Sequence, residues 1–431
     1  MMETHFPCSS IDPCVDQCTT ALSTGTQETR ASVHDQVNIT TGLNRTRHDG
    51  CTLANTIFTE SKVEWAIDSF EPFKSPGSDG IVPVLLQKGK RVLTPILTKL
   101  FRASLTLGYI PRAWRQVRVI FIPKANKKDK SSPKSFRPIS LSSIMLKTME
   151  KIIDEHIKSS YLVENPLSKY QFAYQECKSS VTAVHTIVTK LEKSFEAKEI
   201  SLAAFLDIEG AFDNSSNDSM ITAMTKRNFD KCIIRWISEM LSKREISANL
   251  GSSTIRVRAV KGCPQGGVLS PLLWSLIVDD LLKNLTAQGF EIIGFADDIV
   301  IIVRGKYDST IANRMQIALN FVSVWCDKEG LNINPSKTII VPFTRKRKFS
   351  INNLTLKDIP LELSDSVKYL GIFLDSKLNW NTHIKQAISK ATNALWICRK
   401  TFCKQWGLKP RMIHGIYSVI VKPRIVYASL V

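Results

Sequence analysis

The stretch Ile292-Ile293-Gly294-Phe295-Ala296-Asp297-Asp298-Ile299-Val300-Ile301-Ile302 sets two adjacent acids between two apolar runs. Each run has strand length, which predicts strands over about 290–296 and 299–303 with the acids at their junction. Adjacent carboxylates at the tip of an apolar hairpin repel each other unless a cation is present. Mg²⁺ takes oxygen ligands and is commonly held by one or two carboxylates plus substrate phosphates. The same dipeptide recurs at Asp279-Asp280, where apolar residues over 272–285 have helical spacing and a solvated helix face is expected. What separates the two is a second apolar run ending in acid, Ala203-Ala204-Phe205-Leu206-Asp207. If both runs lie side by side in one sheet, Asp207 and Asp297 converge and a two-metal carboxylate site follows.

Outward from this centre the chain alternates helices and strands without βαβ regularity, so an α+β fold is favoured over a doubly wound sheet. Helices are expected near 144–157, 181–195, 217–227, 231–242, 268–285 and 310–328, and strands near 244–250 and 254–260. Residues 85–107 read as a helix interrupted near Pro95, and 117–122 as a buried strand closed by Pro123. Residues 1 to about 52 are polar and without sustained period, a loosely structured lead-in. Helix-breaking Lys74-Ser75-Pro76-Gly77-Ser78-Asp79-Gly80 follows a helix with Val63, Ala66, Ile67 and Phe70 on one face.

The 431 residues are 43% hydrophobic, ample for a sizeable core, and carry a net charge of +19. That excess is concentrated. Between Arg112 and Arg137 there are nine basic residues and one acid, and from Ser376 to Val431 ten basic residues and no acid. A polyanionic partner, nucleic acid first, is implied. In the C-terminal stretch Trp380, Ile384, Ile388, Leu395 and Trp396 recur at helical intervals, predicting an apolar face opposite an acid-free one. No apolar run approaches the length of a bilayer span and no secretory signal opens the chain, so a nuclear or cytoplasmic protein without a membrane partner is expected. None of the ten cysteines forms a Cys-x-x-Cys pair, and reduced thiols are expected. Arg345-Lys346-Arg347-Lys348 reads as a solvated turn rather than an import signal.

Four further elements stand in order along the chain: Arg137-Pro138-Ile139-Ser140-Leu141; Gly262-Cys263-Pro264-Gln265-Gly266-Gly267, a glycine turn feeding a helix; Asn334-Pro335-Ser336-Lys337; and Lys368-Tyr369-Leu370-Gly371-Ile372, read as a strand with a central glycine. With the acidic runs, this set resembles a reverse transcriptase, and more narrowly the polymerase of jockey-like non-LTR retrotransposons. The resemblance runs from about residue 50 to the last. It implies a right hand with an antiparallel palm sheet: fingers with an N-terminal extension over 53–165, palm over 166–365, and palm end with a partial basic helical thumb over 366–431. Asp207, Asp297 and Asp298 match the family's catalytic aspartates, and the Ile208 carbonyl would complete a shell around two Mg²⁺ ions, with Mn²⁺ as a substitute. Lys337 matches the lysine that protonates departing pyrophosphate. Phe212 matches the aromatic that closes off the 2′ side of the sugar, while Gln265 and Gly266 match the turn facing the template base. Lys124 and Arg137 match the fingers' contacts to the triphosphate, and Asp213 a structural position. The implied partners are an RNA template, a DNA primer and dNTPs.

Gln171-Phe172-Ala173-Tyr174-Gln175 lacks the Gly and Arg of intron-encoded relatives and resembles the insect retroelement form. Jockey-like polyproteins carry an endonuclease before the polymerase and further sequence after it, so a fragment of such a reading frame is expected. An RNA-templated RNA polymerase is the enzymatic rival; Phe212 and the Ala before the acid pair argue against it. A non-catalytic nucleic-acid-binding remnant is the other, but no catalytic Asp is lost.

Overall fold

The computed structural model describes residues 1–6, 50–124, 129–250, 253–346, 349–351, 353–400, 408–429 and 431. The lead-in over 7–49, Lys127, Lys128, and Arg347 and Lys348 of the basic turn lie outside the described residues. In chain order the strands that matter are β1 (Gln116–Pro123), β2 (Phe136–Leu141), β3 (Ile200–Glu209), β4 (Glu245–Leu250), β5 (Ser253–Arg258), β6 (Glu291–Phe295), β7 (Asp298–Gly305), β8 (Asn332–Ile333) and β9 (Ile339–Phe343). The architecture is α+β, and the chain falls into two compact units.

The first unit comprises Met1–Leu167 and Gly210–Ile277. Its sheet has the order β2-β1-β4-β5, antiparallel except for the parallel β1–β4 pair. A helical core surrounds Phe58, Phe101 and Trp114, whose rings follow one another at centroid spacings of 5.9 Å. Three expectations need correction here. The helix Pro83–Leu107 runs through Pro95 without interruption, because Leu86, Leu97, Phe101 and Leu105 anchor one face and the carbonyl that loses its donor belongs to exposed Arg91. β1 is not wholly buried: Val117 and Val119 face the core while Ile120 and Ile122 are exposed, the alternation of a sheet covered on one side. The lead-in is structured at both described ends. A helix spans 50–57, and Met2–His5 forms a turn whose Met2, with Phe6, packs against Val117, Val119, Ile246 and Val257.

The second unit comprises Ser168–Glu209 and Val278–Val431. Its sheet has the order β6-β7-β3-β8, with β9 also pairing β3, and every pair is antiparallel. Both faces are covered, which explains the unbroken apolar run of β3. Ala203, Phe205, Val300 and Ile302 pack with Val184, Ile187 and Leu191 of the helix Ser180–Glu196, and the helix Asp308–Lys328 lies against β3 and β7. Residues 368–372 are not one strand. Ser366–Tyr369 and Ile372–Asp375 form a hairpin, and positive φ at Leu370 (45°) and Gly371 (85°) marks the primed turn that matches strand twist. The helix Asn381–Lys400 exists, but Ile384, Ile388, Leu395 and Trp396 are exposed, and the small Ala391 and Ala394 are the residues it buries.

Candidate active site

The antiparallel β3–β7 register places Asp207 directly opposite Asp298, with Ile208 donating its N–H to the Asp297 carbonyl at 3.2 Å. Cross-strand partners point to the same face, so the Asp207 and Asp298 side chains emerge together beyond Phe205 and Val300. Asp207 therefore has Asp298 as its cross-strand partner, and the Asp297 backbone lies beside the next residue, Ile208. Asp297 sits with Ala296 in the two-residue turn between β6 and β7. Ala296 has φ +56°, left-handed backbone in a residue that carries a Cβ, a strained conformation of the kind that collects at functional sites. Like charges directly across a sheet are destabilising, and here three carboxylates share one sheet end. Burial, then the charges of Asp297 and Asp207, push the Asp298 carboxyl up to about 7, against the pull of Lys337.

The turn after β8 supplies that cation. Ile333 pairs with Ile208 and Asn332 with Glu209, which starts the next turn beside the acids. The Asn334 side chain accepts from the Ser336 N–H at 3.0 Å, shaping the turn Pro335–Lys337. The Lys337 ammonium then donates to Asp207 Oδ2 at 2.6 Å and lies 3.4 Å from Glu209 Oε1. Burial works to lower the Lys337 pKa but is outweighed by the hydrogen bond and charge of Asp207 and Glu209, leaving it above the usual lysine value.

Two tyrosines unassigned by sequence join this end of the second unit. Tyr369 is buried with its hydroxyl unpartnered, and burial, Asp298 and Asp297 push its pKa up. Tyr174, with φ +58°, is shifted the same way by burial and Asp297. Both lie in stretches already singled out as motifs, 171–175 and 368–372, but a hydroxyl facing acid is a matter of packing.

Lys124, Arg137, Phe212, Gln265 and Gly266 belong to the first unit. Ile122 pairs with Arg137, so Lys124 and Arg137 share the far end of the β1–β2 pair, where the Lys124 ammonium donates to the Lys134 carbonyl at 2.9 Å. Phe212 is half-buried, its ring 6.3 Å from that of Trp274. Its carbonyl accepts from the Cys263 N–H at 2.6 Å, and a Cβ on Gly262 would lie 2.8 Å from it, so the glycine turn rests on the backbone of 212–213. The Gln265 amide donates to Asp213 Oδ1 at 2.8 Å, the Gln265 carbonyl accepts from the Ser140 N–H at 2.7 Å, and Gly266 is exposed.

Among the described residues no group of three or more His, Cys, Asp or Glu is already arranged to hold a metal ion. The chemistry of Asp207, Asp297 and Asp298 nonetheless fits a hard divalent cation. The donors are all oxygen, and a carboxylate that burial and two like charges together raise to about 7, despite Lys337, is one that a further cation would stabilise. Mg²⁺ usually completes its shell with water and substrate phosphate, so a full protein cage is not required.

A family model described as reverse transcriptase (RNA-dependent DNA polymerase) matches residues 122–374. The chain is similar to the "Probable RNA-directed DNA polymerase from transposon BS" of Drosophila melanogaster, 28% identical over 371 residues, which are 83% of this chain and 40% of that protein. The RNA-directed DNA polymerase from mobile element jockey of the same species is 26% identical over 364 residues, 82% of this chain and 39% of that protein. The retrovirus-related Pol polyprotein from type-1 retrotransposable element R1 of Bradysia coprophila is 27% identical over 348 residues, 80% of this chain and 34% of its own length. The chain thus spans less than half of each of these relatives.

Proposed function

The chain belongs to the reverse transcriptase family, and from that premise we propose that it is an RNA-directed DNA polymerase of the non-LTR retrotransposon kind. It would extend the 3′-hydroxyl of a DNA primer on an RNA template, using dNTPs. The observation that carries the reading is the end of the second unit's sheet, where Asp207 faces Asp298 and Asp297 occupies the adjoining turn.

Asp207, Asp297, Asp298 and the Ile208 carbonyl would hold two Mg²⁺ ions, or Mn²⁺ in their place, which when bound supply Lewis-acid stabilisation of charge on the reacting phosphates. The remaining roles belong to the chain's own side chains. Lys337 keeps a proton at Nζ while tied to Asp207; once Asp207 is engaged elsewhere, that ammonium is free to give the proton to the leaving pyrophosphate. Lys124 and Arg137 offer the triphosphate a basic end of the β1–β2 pair. Phe212 would exclude a 2′-hydroxyl, and Gln265 with Gly266 would face the template base and the nascent pair. The basic segment from Ser376 to Val431, free of acid, suits a duplex backbone. No helix among the described residues is long and apolar enough to cross a membrane.

The experiment is primer extension on poly(rA)/oligo(dT) with dTTP and Mg²⁺, comparing the chain with Asp297→Ala. Incorporation by the wild type alone supports the reading. Equal incorporation by both would remove the assigned site, and none by either would favour a nucleic-acid-binding remnant.

A further inference from the structure

Two buried charged side chains hold the backbone at the two ends of the glycine turn at 262–267, Arg244 at 261–262 and Glu150 at 268–269. Glu150, on the helix Ile144–Ser159, is 1% exposed. Its Oε2 accepts the Val268 N–H at 2.6 Å and the Leu269 N–H at 3.0 Å. These amides lead into the helix Ser270–Ala287, where no intrahelical acceptor serves the first donors. Arg244, 3% exposed, donates from the other side to the carbonyls of Leu241 and Lys261, each at 3.2 Å, and to that of Gly262. Between these anchors Gly266 has φ +110°, and a Cβ there would lie 2.9 Å from the Ser140 carbonyl, so the turn is built to one narrow geometry.

Packing alone does not call for a carboxylate at 150. An ionisable group in this position costs desolvation that a leucine of similar volume avoids. Among the described residues Glu150 Oε1 has no hydrogen-bond partner, and the side chain's hydrogen bonds are the two that Oε2 accepts from Val268 and Leu269.

We propose that Glu150 is a positioning residue for templated nucleotide selection: by holding the amides of Val268 and Leu269 it sets the backbone on which Gln265 and Gly266 are presented. The proposal rests on the polymerase reading, in which Gln265 and Gly266 face the template base and nascent pair. Glu150→Gln keeps an oxygen where Oε2 stands and puts its NH₂ where Oε1 meets no partner, so the grip survives. Glu150→Leu keeps the volume and removes the grip.

The test measures KM and kcat for dTTP on poly(rA)/oligo(dT), discrimination against mispaired dCTP, and amide hydrogen exchange over 262–270. Glu150→Leu is expected to raise KM about tenfold with a much smaller change in kcat, to weaken discrimination, and to speed exchange at Val268 and Leu269. Glu150→Gln should restore all three. Should the Leu variant fail to fold, Glu150→Asp, which withdraws the carboxylate by one methylene, takes its place with the same expectation. Faster exchange at the two amides with unchanged KM and discrimination overturns the proposal, and so does wild-type exchange there. If the wild-type chain extends no primer while the Leu and Gln variants still differ in exchange, the polymerase reading has failed, and the selection role goes with it.

Discussion

Asp279-Asp280 and Asp297-Asp298 are the same dipeptide in the same unit, with opposite electrostatic fates. On sequence the first pair is expected on a solvated helix face, and the structure corrects this. Asp279 is 1% exposed, accepts the Ser168 N–H, and lies 3.0 Å from the Lys283 ammonium one helical turn on. Successive helix residues point about 100° apart, so one acid of the pair turns inward. Its charge is met by a donor and a cation. At Asp297-Asp298 the hairpin places one acid in the turn and the other opposite Asp207, so like charges meet instead. Burial by itself therefore does not mark a site; buried charge that the chain leaves opposed does.

The comparison breaks most readily through activity. Asp297→Ala is expected to lower primer extension by about a thousandfold or more, the order seen when a charge-stabilising group is removed. Asp279→Ala should leave the rate per folded molecule within about threefold, because its partners serve the fold. A large loss of specific activity in Asp279→Ala would erase the distinction.

Next in size is a pH effect on metal-free stability. The folded pKa of Asp298 is raised to about 7, so its contribution is fully present below the ordinary carboxylate range and is lost as pH rises through about 7. Urea unfolding in a chelator should show wild type losing on the order of 3 kcal/mol more than Asp298→Asn between pH 4 and 8. Identical pH profiles for the two proteins would contradict the opposed-charge account.

Stability at neutral pH sharpens the other side. Asp279→Ala strips the acceptor from the Ser168 amide and the partner from Lys283, at a cost of about 2 kcal/mol in chemical denaturation. The smallest effect is expected at the turn itself. Ala296→Gly removes the Cβ from a left-handed position and should change stability by under about 1 kcal/mol, since relief of strain is offset by the freedom glycine gains when unfolded.

Much of the fold was legible because periodicity reports burial. The helices Ile144–Ser159 and Ser180–Glu196 begin and end within two residues of their sequence expectation. The two apolar runs with acid at their ends do pair, as β3 and β7, and the register partner of Asp207 is Asp298. One residue of register decides this, and register depends on turn geometry and on which face is buried. Pro95 misled because local propensity favours a break while the buried stripe of Leu86, Leu97, Phe101 and Leu105 holds the helix together. Glu150 carried no signal at all. A single Glu in an amphipathic helix reads as surface until the backbone amides of Val268 and Leu269, far along the chain, are brought to it.

By itself, then, the sequence determined what kinds of element form, where acid interrupts apolar strand, and where the basic excess lies, since these depend on residues adjacent in the chain. Tertiary structure alone decided which carboxylates oppose one another, which lysine answers them, and which buried acid holds a turn. Those outcomes depend on distances between residues remote in sequence and on the water removed from around them. A charge is satisfied or left opposed by its neighbours in space, and only the folded chain selects those neighbours.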